Sequence, residues 1–256
     1  MIIRADQLEL EGTGEGRGRT LIESNTSYGS KMGDEEEGGS AGSILLEVGK
    51  MRVGRYASLS SSTYGNGLAG ELKVQADVVE IKGEGARVLG QAGYPYGSNK
   101  WKKSEVATGD GGSIVIEANR LEISEGAELS VASSGVGDGG SLVLDTGGIE
   151  IKEKSIVSAV TQGGNGGNIK IYSDDFRLEK RSEIISTTAG KGQGGKIEIR
   201  SGEGFGEYRI DGNILANSEG EGVGGGIKIE TKGDVELTGI ISSSSKSTGE
   251  GGQVRV

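Results

Sequence analysis

The sequence predicts an all-β protein: a right-handed parallel β-helix of about eight to nine coils, each of roughly 28 residues with three short strands. Three observations lead there. Gly fills 51 of 256 positions while Pro occurs once, so the chain turns often without proline breaks. A cassette of Gly-Gly, one polar residue, then apolar–x–apolar recurs along the chain. Apolar residues alternate with period two at fixed phase after each cassette, the pattern of strands that bury one face.

The cassette reads Gly111-Gly112-Ser113-Ile114-Val115-Ile116, and again Gly139-Gly140-Ser141-Leu142-Val143-Leu144. It returns as Gly166-Gly167-Asn168-Ile169-Lys170-Ile171 and Gly194-Gly195-Lys196-Ile197-Glu198-Ile199, with looser copies elsewhere. Its first apolar residues are Met1, Ile44, Leu72, Ile114, Leu142, Ile169, Ile197, Ile227 and Val254. Six of the eight spacings lie between 27 and 30 residues; the other two, 43 and 42, carry insertions at about 28–39 and 93–109. A second alternating pair follows each cassette, as in Leu121/Ile123 and Phe176/Leu178. A third strand ends in hydroxyls, as in Leu129 to Ser134 and Ile184 to Thr188. Stacking equivalent strands buries the inward aliphatic rungs in one column, and Gly reaches φ > 0 at the corners. Stacked Ser and Thr predict hydroxyl ladders, broken by Ala92 and Ala132. The whole chain, 1–256, reads as a single domain. It begins and ends inside equivalent strands, which predicts end-to-end continuation with further coils.

Composition excludes several chemistries. With no Cys and no His, there is no disulfide framework, thiolate or histidine metal site, or Ser-His-Asp triad. A net charge of −10 with scattered Lys and Arg argues against a nucleic-acid partner. No apolar run is long enough for membrane insertion.

The run Gly164-Asn165-Gly166-Gly167-Asn168-Ile169-Lys170-Ile171, with Phe176-x-Leu178 and Ser186-Thr187-Thr188 after it, resembles the repeats of filamentous-haemagglutinin-like exoproteins of two-partner secretion systems. The same pattern runs from about residue 40 to the end. The resemblance implies a right-handed β-helical shaft that is secreted or held at the bacterial outer-membrane surface. It further implies adhesion, or carriage of a distal effector, without enzymatic activity.

Binding residues concentrate on loops of rigid scaffolds, which directs attention to the insertions. The second holds Tyr94, Pro95, Tyr96, Trp101, Lys102 and Lys103, including the only Pro and only Trp. The first carries the acidic run Asp34 to Glu37. Tyr94, Tyr96, Trp101 and Lys102 are the candidate ligand-binding residues, for a glycan or a protein of a host or neighbouring cell. Asp110 and Asp138 in Gly-Asp-Gly-Gly turns lack the nine-residue Asp period of calcium-binding repeats, and no cofactor or metal is expected. Asp174-Asp175 beside Arg177 raises a polysaccharide-binding or polysaccharide-degrading alternative. With Asn119-Arg120 and Thr146-Gly147 taken as their equivalents, the two Asp read as a solvated corner.

Overall fold

The computed structural model describes residues 1–14, 20–25, 39–63, 67–93, 108–202, 204, 206–247 and 249–256. Among them there is no helix. One sheet runs in the order β1 (Ile2–Leu10), β3 (Ile44–Val53), β5 (Glu71–Lys82), β7 (Ser113–Ser124), β9 (Ser141–Ile151), β11 (Asn168–Leu178), β13 (Lys196–Arg200), β16 (Gly226–Glu230) and β19 (Gln253–Arg255). From β11 it also continues through β14 (Tyr208–Ile210) to β17 (Val235–Leu237). A second sheet stacks β2 (Thr20–Glu23), β4 (Ala57–Ser60), β6 (Arg87–Leu89), β8 (Glu128–Ser130), β10 (Ile156–Ser158), β12 (Glu183–Ile185), β15 (Asn213–Leu215) and β18 (Ile240–Ser242). Every pairing is parallel. This is a parallel β-helix, consistent with the right-handed crossover rule.

The register follows the cassettes: Ile114 sits beside Leu142, Leu142 beside Ile169, and Ile169 beside Ile197. The rungs fuse into one core reaching from Leu10 to Ile229. Each inward aliphatic contributes about 1.5–3 kcal/mol by burial. A third column joins Thr63, Ala92, Ser133, Thr161, Thr188, Ser218 and Ser245 by single parallel bridges. The coils from β3 to β16 carry strands on both sheets and a member of this column, giving about seven full turns. The larger expected number corresponds to the rungs of the first sheet, where β1 and β19 also take part.

The three strands per coil are present, but the first two run together as one strand of 9 to 12 residues from β1 to β11. Each of these bends at one phase, at Asp6, Gly49, Asp77, Asn119, Gly147 and Asp174, where the ladder skips a residue. After β11 the two halves separate into β13 with β14 and β16 with β17.

Glycine works differently from the expectation. The left-handed corner column, at φ between 53° and 76°, is Tyr56, Gly85, Gly126, Lys154 and Arg181, with Glu125 and Glu153 left-handed just before it, so non-glycine residues take the strained conformation in four coils. The cassette glycines instead allow backbones to cross. A Cβ on Gly112, Gly140, Gly167, Gly195, Gly225 or Gly252 would fall within van der Waals contact of the carbonyl oxygen of the equivalent glycine one coil earlier. That carbonyl accepts the N–H of the following residue in the next coil, as in Ser141 N to Gly112 O at 2.9 Å and Asn168 N to Gly140 O at 2.9 Å. Backbone hydrogen bonding between coils therefore requires the missing side chain. Gly195→Ala is expected to destabilise the protein by more than about 2 kcal/mol. Gly148→Ala, in open space with only the Asp175 Cβ at 3.9 Å, is expected to be neutral or stabilising. Paired denaturant titrations of the two variants check this.

Candidate functional site

The four residues singled out as a binding loop, Tyr94, Tyr96, Trp101 and Lys102, lie outside the described residues, as does the acidic run from Asp34 to Glu37. The insertion bases are described. The described residues before them end at Asn25, after β2, and at Gly93, after β6, two rungs apart in the second sheet.

The hydroxyl column forms, but faces inward. Ser133 Oγ donates to Gly109 O at 3.0 Å, Thr161 Oγ1 to Gly137 O at 2.6 Å, and Thr188 Oγ1 to Gly164 O at 2.7 Å. Ser218 and Ser245 repeat the contact with Gly192 and Gly222. These hydroxyls tie each corner to the preceding coil. Ala92 sits in this column and Ala132 in the one beside it. The Gly-Asp-Gly-Gly turns form a second ladder: Asp110 Oδ1 accepts Asp138 N at 2.7 Å, Asp138 Oδ1 accepts Asn165 N at 2.7 Å, and Asn165 Oδ1 accepts Gln193 N at 3.0 Å. Acceptance of a backbone amide by the side-chain oxygen explains why Asp and Asn interchange at this phase.

Asp174 is half-buried and Asp175 exposed, and both carboxylates also accept backbone hydrogen bonds. Asp174 Oδ1 accepts Gly204 N at 3.0 Å and Asp175 Oδ1 accepts Glu207 N at 3.1 Å, so they anchor the segment between β13 and β14. Beneath it Tyr208 Oη donates to Ser173 O at 2.6 Å. Burial, then the charges of Asp174 and Asp175, push that phenol well above its ordinary range. The register also corrects the equivalence: Asp174-Asp175 align with Gly147-Gly148, not Thr146-Gly147, and with Asn119-Arg120.

Outward charges form ladders, most joining successive coils. Arg4 pairs with Glu47, Lys50 with Glu80 at 2.9 Å, Lys73 with Glu117 at 2.7 Å, and Arg209 with Glu236 at 3.4 Å. Glu80, Glu122 and Glu150 stack in register. Lys152 bridges two of them, at 3.3 Å from Glu122 and 2.9 Å from Glu150. Burial alone raises the Glu122 carboxyl, but Ser124 and Lys152 outweigh it and hold the group below its usual range. Glu128 on β8 is the opposite case. Burial pushes its carboxyl up despite Arg87 at 3.2 Å and a hydrogen bond from Gln91.

Three adjoining depressions lie along the bend of the long strands. One of about 440 Å³ is lined by Gln75, Asp77, Glu117 and Asn119. The next, of about 410 Å³, shares Asn119 and adds Arg120, Gly147, Gly148, Glu150, Asp175 and Arg177. The third, of about 330 Å³, shares Asp175 and Arg177 and adds Glu207 and Arg209. Together they make a polar groove crossing the strands along the helix axis. No sequence motif marks it, because its residues belong to successive coils 28 to 42 positions apart, as with Asp77, Asn119, Gly147 and Asp175. Comparison of the chain with family models, curated proteins and solved structures finds no match.

Lys152→Ala leaves Glu122 facing Glu150 in a partly buried column. It is expected to lower stability by about 1 kcal/mol, with part of the loss recovered in high salt, read by urea titration at two ionic strengths. For Glu128 the folded pKa is raised, so its contribution is fullest below the ordinary carboxylate value and is lost as pH rises through the raised one. Glu128→Gln is therefore expected to gain in melting temperature over the parent as pH increases, the two being closest in acid. Thermal melts across the acidic to neutral range check the sign.

Proposed function

We propose that the chain is a non-enzymatic shaft segment of a secreted or surface-attached bacterial β-helical exoprotein, which carries adhesive surfaces at fixed positions along its axis. The observation that supports this reading is the continuity of the inter-coil ladders. Glycine crossings, hydroxyl bonds, turn amides and ion pairs each repeat from coil to coil, and each ties a coil to its neighbours. Such a stack resists bending and holds the coils that carry the insertions at fixed positions along its axis. The resemblance of the 164–188 repeat to filamentous-haemagglutinin-like exoproteins points the same way. Antibody labelling and protease shaving of intact source cells test the reading. The expected result is chain accessible at the cell surface or recovered from the medium. Chain confined to the cytosol overturns it, and oligosaccharides released from a polysaccharide panel by the purified chain would turn the reading to an enzyme.

A further inference from the structure

Two of the four strand glycines, Gly49 and Gly147, are required by backbone approach: a Cβ on either would lie 2.8 or 2.7 Å from a carbonyl oxygen of the preceding coil. Gly148 is different. A Cβ there would meet only the Asp175 Cβ at 3.9 Å, and its φ lies outside the left-handed region. Glycine weakens a strand interior, and nothing in the fold demands it here. Gly226, at the first position of β16, is also open, but it is Gly148 that floors the groove. An unforced strand glycine beneath a depression suits close approach of something from outside the chain.

Its neighbours define the bay. Gly148 is in register with Arg120 one coil before and Asp175 one coil after. A guanidinium and a carboxylate thus stand two rungs apart, roughly 10 Å, across a bare backbone floor. Among the described residues Arg120 pairs with Glu150, at 3.7 Å, and its side chain is 64% exposed. Arg177 and Arg209 stack in register further along. The two depressions around the bay carry Arg120, Arg177 and Arg209 against Glu150, Asp175 and Glu207, so their charges cancel. A polyanion would meet the three carboxylates and a polycation the three guanidiniums. The large apolar side chains in the lining, Ile149 and Phe176, are 3% and 1% exposed, which leaves a protein partner without the apolar anchor that dominates such interfaces. What fits is an uncharged, hydroxyl-rich chain that both donates and accepts hydrogen bonds with planar side chains on either side.

We infer that the groove along the strand bend binds a neutral glycan, one sugar ring resting on Gly148 between Arg120 and Asp175. The rest of the glycan runs along the axis past Asn119 on one side and Arg177 on the other. The groove spans six rungs, from β3 to β14, roughly 24 Å at the inter-strand spacing, so a short oligosaccharide is long enough to occupy it. This inference does not depend on the shaft reading, and a shaft without a glycan ligand would leave that reading intact.

The test probes the full chain against an array of neutral, uronic-acid-containing and sulfated oligosaccharides and, in parallel, a library of peptides. Hits are titrated by calorimetry. The expected result is binding of a neutral oligosaccharide that weakens at least tenfold in Gly148→Trp, which fills the bay, and in Arg120→Ala. Lys196→Ala, on the first half of the coil and outside the groove, keeps the parent affinity. Circular dichroism confirms the fold of each variant, and if Gly148→Trp does not fold, the exposed Arg120→Ala decides. The inference is overturned by absence of neutral-glycan binding, by affinity unchanged in these variants, or by preference for sulfated, uronate or peptide probes.

Discussion

The close crossing of one coil's cassette backbone over the carbonyl of the coil before it sets the geometry of everything else. Parallel strands must sit about 4.8 Å apart for their amides to pair, and at the turn entering the first sheet no Cβ fits that spacing. Glycine at this phase permits the bond from each following N–H, as at Ser141 and Asn168. Once the crossing is fixed, the aliphatic positions two and four residues after the glycine fall into columns, and the core closes without any coil having one of its own. Stability is then a property of neighbours, the behaviour of one-dimensional repeat folds.

Stacking has an electrostatic consequence. Equivalent positions lie one rung apart, so a repeat copied faithfully would set like charges face to face along the whole axis. The chain avoids this by varying sign within columns and by lending cations from adjacent ones. The Glu80, Glu122 and Glu150 column survives because Lys50, Lys152 and Arg120 reach across it. Exposed pairs of this kind each add at most about 1 kcal/mol; what they secure is tolerance of the stack to its own charges and resistance to lateral association.

The period, the inward rungs and the hydroxyl column were legible in the sequence because all three are local patterns repeated at one phase. Ile114, Leu142, Ile169 and Ile197 align as their cassettes require. The role of glycine was only half legible: composition reveals that glycine is needed, but whether by φ or by crowding depends on the neighbouring coil, and Tyr56, Lys154 and Arg181 show the left-handed corner doing without it. What Asp174 and Asp175 hold is hidden from the sequence for a related reason. Their partners, Gly204 and Glu207, belong to a segment about 30 residues later whose length departs from the repeat, and only the strand register aligns them with Gly147-Gly148 rather than Thr146-Gly147.

The groove illustrates how such a fold acquires a surface without a motif. Along the axis, sequence distance of one repeat becomes one rung of height, so a side chain omitted in a single coil opens a bay whose width is fixed by its two neighbours. At Gly147 the omission is forced by the Asn119 carbonyl, and at Gly148 nothing forces it. Arg120 below and Asp175 above are held by strand pairing and cannot close toward one another without breaking the ladder. A depression built this way is preorganised, and a ligand entering it loses little to rearrangement of the protein. The rigidity that the proposed shaft requires is thus the same property on which the proposed glycan site draws.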